Sequence, residues 1–126
     1  MSEHIDPTRR FQVKGEVCQL MSAFLSASVA NDQTVITAVS GKRIRVMGLQ
    51  MVSGGAGIST TSLKNGSGGT FLASVTAPAN TSATPNVFWP IAESGYFETD
   101  TGVGLFIDVG TTACNVTILY LTYTPQ

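Results

Sequence analysis

The stretch VITAVSGKRIRVMGLQMVSGG, Val35 to Gly55, admits two readings that lead to different folds. If Ser40-Gly41-Lys42-Arg43 cradles a phosphate, a strand should enter it and a helix should leave it, and the chain binds nucleotide or nucleic acid. A phosphate loop needs Gly-x-x-x-x-Gly-Lys-Ser/Thr, so that backbone N–H groups surround the phosphates and a helix N-terminus adds its dipole. Here one Gly precedes Lys42, Arg43 stands in place of Ser or Thr, and strand-patterned residues follow. The motif fails in three places, and Gly41-Lys42 reads as a tight turn. Beyond it, Arg43 and Arg45 fall on one face of a strand. The parity then changes: Ile44 and Val46 are apolar at even positions, Leu49 and Met51 at odd ones. Strict alternation keeps a strand's faces apart, so the switch predicts a bulge near Gly48. Lys42, Arg43 and Arg45 then either guard a solvated strand edge, the plainer reading, or meet a phosphate or carboxylate on a partner.

The same β pattern continues through the chain. Short apolar or alternating runs, separated by Gly, Pro, Asn and Asp, predict strands near 23–30, 33–39, 42–52, 57–64, 70–77, 86–90, 95–99, 103–109 and 113–124. The run Val116 to Tyr123 is almost continuous in strand formers and reads as a central strand. Asn65-Gly66 followed by Ser67-Gly68-Gly69 is a hairpin signal. Pro78, Pro85 and Pro90 belong in loops or at strand ends. A short helix over 16–25 is the one helical alternative. Eight or nine strands at about ten-residue spacing imply an all-β antiparallel sandwich or barrel, most simply a jelly roll.

Length and composition bound the rest. The 126 residues suit one domain with one core. Apolar residues make up 43% and charged residues only 12%, about half the usual share of ~25%. So few charges suit a protein that hides part of its surface in an assembly. The net charge of −1 provides no field to attract nucleic acid or an anionic membrane. No run of 18 apolar residues exists to span a bilayer, and charges over 1–16 argue against a signal peptide. Glu3, Asp6, Arg9, Arg10, Lys14 and Glu16 concentrate charge before residue 17. That shift divides the chain into a polar, extended N-terminal arm (1–22) and a β-sandwich domain (23–126), the arm being ordered against a partner.

Candidate chemistry is sparse. His4 is the only histidine and lies in the arm, which excludes a Ser–His–Asp triad and a His-based metal site in the body. Cys18 and Cys114 lack metal or redox spacing and read as buried thiols. Sequons at Asn65, Asn80 and Asn115 are products of Ser/Thr richness in a chain without a secretory route. Glu98 and Asp100, two apart, would share a face of an extended strand, and an enzyme would need a third carboxylate in the same cleft. Phe88-Trp89 and Tyr96-Phe97 are the aromatic pairs; one member of each should enter the core. No cation lies near Trp89 in sequence, so stacking of single-stranded nucleic acid is not expected. No catalytic residue, cofactor, metal or small-molecule substrate follows from this inventory.

Val39-Ser40-Gly41-Lys42-Arg43-Ile44-Arg45-Val46, with Pro90-Ile91-Ala92-Glu93-Ser94-Gly95-Tyr96-Phe97-Glu98-Thr99 running on to Gly102-Val103-Gly104-Leu105, resembles small jelly-roll virion proteins of tailed bacteriophages. The likeness covers roughly residues 35–124 and rests on short motifs of structural residue types. It implies a homotrimeric capsid decoration (cement) protein on the capsid exterior, made in the host cytoplasm. Its partners would be itself and the major capsid protein, with Arg9, Arg10, Lys14, Lys42, Arg43 and Arg45 as polar contacts. The alternative is a receptor-binding or glycan-adhesion module using Trp89, Tyr96 and the loops around 65–69 and 79–86.

Overall fold

A computed structural model describes residues 10–28, 32–55, 57–78, 87–110 and 112–125. Their regular elements are strands: β1 (Arg10–Val13), β2 (Glu16–Gln19), β3 (Met21–Ala27), β4 (Gln33–Ile36), β5 (Arg43–Ser53), β6 (Ser59–Asn65), β7 (Phe71–Ala77), β8 (Val87–Trp89), β9 (Phe97–Glu98), β10 (Leu105–Val109) and β11 (Cys114–Tyr123). The chain is all-β, and the strands pair antiparallel. One sheet has the order β3-β11-β5-β8, with β9 also on β5. A second has the order β4-β10-β6-β7, and β1-β2 is a separate hairpin. Ala27, Ile44, Leu49, Met51, Val116 and Ile118 of the first sheet share one core with Ile36, Leu63, Val75, Leu105 and Ile107 of the second. Two sheets that enclose one apolar layer make a sandwich-like body, with alternate residues of each strand turned inward.

The opening stretch is a turn followed by a strand. The Lys42 N–H donates to the Val39 carbonyl at 3.1 Å, and Gly41 takes φ 75, as a type II turn requires at its third residue. The bulge lies where the parity switches. Leu119 pairs with Gly48 and Tyr120 with Val46, so Met47 is the extra residue of β5. Ile44 and Val46 before it, and Leu49 and Met51 after it, all reach the central core. Met47 turns to the other side of the sheet. Asn65-Gly66 begins the β6–β7 turn, β11 lies between β3 and β5, and both cysteines are buried free thiols. Pro78 and Pro90 lie outside strands, while Pro85 is outside the described residues.

Three expectations change. The helical alternative over 16–25 is occupied by β2 and β3. The strand that follows Lys42 and carries Arg43 and Arg45 at its start is not an edge, because β5 pairs with β11 on one side and with β8 and β9 on the other. The expected arm divides. Residues 1–9 lie outside the described residues, whereas 10–19 form a hairpin and β3 already belongs to the main sheet. Lys14 (φ 50) and Gly15 (φ 83) both adopt the left-handed conformation that a two-residue hairpin turn needs. The inward side chains of the segment, Val13, Cys18 and Leu20, cover Met47, Leu121 and Tyr123 on the outer side of the first sheet. Charge density in the sequence marked the solvent side of this hairpin and hid its apolar side, because alternate residues of a strand face opposite ways.

Candidate functional surface

Lys42, Arg43 and Arg45 are each paired within the chain. Lys42 Nζ lies 3.0 Å from Glu16 Oε2 and donates to Thr124 Oγ1 at 3.2 Å. The backbone N–H of Thr124 donates to Glu16 Oε1 at 2.7 Å. That N–H and Lys42 hold the Glu16 carboxyl below its usual range. This set ties the β1–β2 hairpin to the far end of β11. On the neighbouring strand, Glu98 receives Arg43 Nη1 at 3.2 Å and Arg45 Nε at 3.1 Å, and the Tyr123 hydroxyl donates to it at 2.7 Å. Partial burial pushes Glu98 up, but the Tyr123 hydroxyl, Arg45 and Arg43 outweigh it and hold the carboxyl low. The Arg45 guanidinium also stands 4.9 Å from the centre of the Tyr123 ring, within cation–π range. Gly95 lets the 92–95 turn pass over Arg45: its φ is 77, and a Cβ there would lie 2.6 Å from Arg45 Cγ.

The other expected contacts fall elsewhere. Arg10 and Lys14 are exposed on the hairpin, and Arg9 is outside the described residues. Glu98 and Asp100 do not act as a pair, since Asp100 accepts from Asn65 Nδ2 at 2.9 Å instead. Among the described residues, no group of three His, Cys, Asp or Glu side chains is placed to hold a metal ion.

The aromatic pairs split between core and surface as alternation demands. Trp89 and Phe97 pack on the central core, while Phe88 is 67% exposed and Tyr96 42%. Trp89 meets the Tyr96 ring at 5.0 Å with a 38° tilt and the Phe97 ring edge-on at 6.4 Å. The Tyr96 hydroxyl is tied to the Pro90 carbonyl at 2.5 Å. The indole named for glycan stacking thus packs against two rings and the core, and of the Phe88-Trp89 pair it is Phe88 that faces solvent.

Sequence reasoning missed the open part of the first sheet's outer face. Phe24 pairs with Thr117, Thr117 with Gln50 and Gln50 with Phe88, so these four form one row across β3, β11, β5 and β8. Phe24 is 66% exposed. Along the row lies a shallow, open depression lined by Leu49, Gln50, Phe88, Trp89, Thr117 and Leu119. The charged residues of this sheet, Arg43, Arg45 and Glu98, are gathered at the other end, where both arginines pair with the one carboxylate. Two exposed phenylalanines on an uncharged face are what a protein-contact surface presents. The signal was available in the alternation of Ser22, Phe24 and Ser26 against Ala23, Leu25 and Ala27; which set faced water was not.

The chain matches no known protein family and no curated protein.

Proposed function

We propose that this chain is a non-enzymatic structural subunit of a tailed-bacteriophage particle, a jelly-roll capsid decoration (cement) protein. In this reading it binds the outer shell as a homotrimer and stabilises it. The observation that carries the proposal is the strand order. Lettered B to I from β3, with β8 and β9 together as G, the sheets read B-I-D-G and C-H-E-F, the order produced when two Greek keys fold into a jelly roll. The phage particle and its shell come from the sequence resemblance, and the uncharged Phe24–Phe88 face supports a role built on protein contact rather than chemistry. Because Lys42, Arg43 and Arg45 already have carboxylate partners in the chain, binding to the shell draws on this face more than on those cations. Arg10 and Lys14, exposed on the hairpin, keep the role of polar contacts, as does Arg9, which lies outside the described residues.

The test joins native mass with attachment. Sedimentation should give a trimer of the 13.2 kDa chain that binds bare phage capsids, and Phe24→Ser/Phe88→Ser should lose trimerisation, attachment or both. A stable monomer that ignores capsids, with the double variant behaving the same, sinks the proposal. Glycan adhesion is the second reading, favoured by the exposure of Tyr96 and of Phe88, which lines the depression. Binding on a glycan array that disappears with Phe88→Ala or Trp89→Ala would move the assignment there.

A further inference from the structure

Asn65 and Gly66 form a dipeptide whose covalent chemistry is governed by its surroundings. The backbone nitrogen of a glycine can attack the side-chain amide of a preceding asparagine, because no side chain hinders the approach. The fold favours glycine at 66: φ is +85, which strains a residue with a side chain, and a Cβ would lie 2.9 Å from Val103 Cγ1. The reactive pair is therefore a consequence of the β6–β7 turn.

The native structure blocks the reaction at both of its atoms. The nucleophile is occupied, since the Gly66 N–H donates to the Gly104 carbonyl at 3.0 Å. The electrophile is held as well: Asn65 Nδ2 donates to Asp100 Oδ2 at 2.9 Å, and the Asp100 N–H donates to Asn65 Oδ1 at 2.9 Å. This reciprocal clip joins the β6–β7 turn to the segment that crosses from β9 to β10, that is, from one sheet to the other.

We propose that Asn65 is a deamidation site gated by the Asn65–Asp100 clip, silent while the crossover is docked and reactive when it opens. In the open chain the Gly66 nitrogen attacks Asn65 Cγ, forming a C–N bond and a succinimide. The Cγ–Nδ2 bond breaks, and ammonia leaves with the proton lost by the Gly66 nitrogen. Water then adds to one imide carbonyl and opens the ring to aspartate or isoaspartate. Water enters, ammonia leaves, and no oxidant or reductant takes part. Either product prevents the clip from closing as before. Aspartate puts an anionic acceptor where a donor had faced Asp100, and isoaspartate adds an atom to the backbone of the β6–β7 turn. Each opening that reacts is thus recorded permanently in the chain.

The test uses the full chain in mildly alkaline buffer, with peptide mass spectrometry reading amide-to-carboxyl conversion at Asn65. Folded wild type should convert at least about tenfold more slowly than the same chain in denaturing urea, since reaction requires a local opening. Folded Asp100→Ala should convert several-fold faster than wild type at an unchanged urea midpoint, and Asp100→Asn, which keeps the backbone donor and a side-chain oxygen, should recover part of the protection. Equal rates in folded and unfolded wild type, or in folded wild type and Asp100→Ala, overturn the proposal. Should Asp100→Ala lower the urea midpoint, hydrogen exchange at the Gly66 amide of wild type decides: slow exchange is expected, and exchange at the rate of an open loop overturns the gate.

Discussion

Glu98 concentrates more interactions than any sequence pattern assigned to it. Three donors converge on one carboxylate, two of them guanidinium groups from alternate positions of β5 and the third a phenol from β11. Removing a charge that others depend on costs more than its own contacts, because the partners stay behind half-buried. Glu98→Gln should therefore destabilise the fold by about 1–3 kcal/mol, read as a fall in the urea midpoint. Tyr123→Phe removes one donor and leaves the ring against Met47 and Leu121, so a smaller loss of about 1 kcal/mol is expected. An equal loss for both variants would mean that Arg43 and Arg45 do not depend on the charge. Lys42, Arg43 and Arg45 were legible as a basic group on a strand. Their partners were not, for Glu16 and Glu98 stand far from them in sequence and are brought close only by the fold.

The β1–β2 hairpin acts as a cover for half of one sheet face. Met47 and Leu121 have no exposure at all beneath it, and the bulge is what turns Met47 towards it. Leu121→Ala should cost about 2–5 kcal/mol through lost burial and the cavity left behind. Compared as monomers, at concentrations too low for copies to associate, Phe24→Ala on the uncovered half of the same face should fall within about 0.5 kcal/mol of wild type. Thermal or urea denaturation of the two variants side by side checks the contrast, and similar losses would contradict the assignment of covered and open halves. Deleting residues 1–20 would remove the cover, so dye-detected apolar exposure and aggregation are expected. Deletion of 1–9, which spares the hairpin, is the variant suited to capsid-attachment experiments. The hairpin turn at Lys14-Gly15 escaped the sequence reading because charged residues on both sides of it masked the alternation of Val13, Cys18 and Leu20.

At the scale of the molecule, three carboxylates fasten elements that are distant in the chain. Glu16 fastens the hairpin to the end of β11, and Glu98 joins β9 to β5 and β11. Asp32 joins the approach to β4 with the β6–β7 turn through Lys64 Nζ at 3.0 Å and the Gly68 N–H. All three are held below their ordinary values of 4.5 for Glu and 3.8 for Asp: Asp32 by the Gly68 N–H and then Lys64, Glu16 by the Thr124 N–H and then Lys42, and Glu98 by Tyr123, Arg45 and Arg43 against the opposing effect of burial. A depressed folded-state value means that the unfolded chain binds protons first as pH falls. The stabilisation is complete above the ordinary values and disappears as pH drops through the lower folded ones. The urea midpoint should thus be flat near neutrality and decline below about pH 4.5, with Glu98→Gln showing a shallower decline than wild type. Parallel acid profiles for the two would remove Glu98 from the account.

What the sequence determined by itself was the local grammar of the chain: strands in place of helices, the turn at Gly41, the bulge beside Gly48, the Asn65-Gly66 hairpin and two buried thiols. These depend on period-two alternation and on the backbone freedom of single glycines, both set by neighbouring residues. The tertiary structure decided which strands adjoin, which face the hairpin covers, and which cations find carboxylates. It also decided that Phe24 and Phe88, on strands far apart in sequence, stand in one uncharged row. A strand's alternation defines two faces but does not say which one meets water. That choice belongs to the packing of distant segments, where burial of Met47, Leu121 and Tyr123 under β1 and β2 outweighs their exposure.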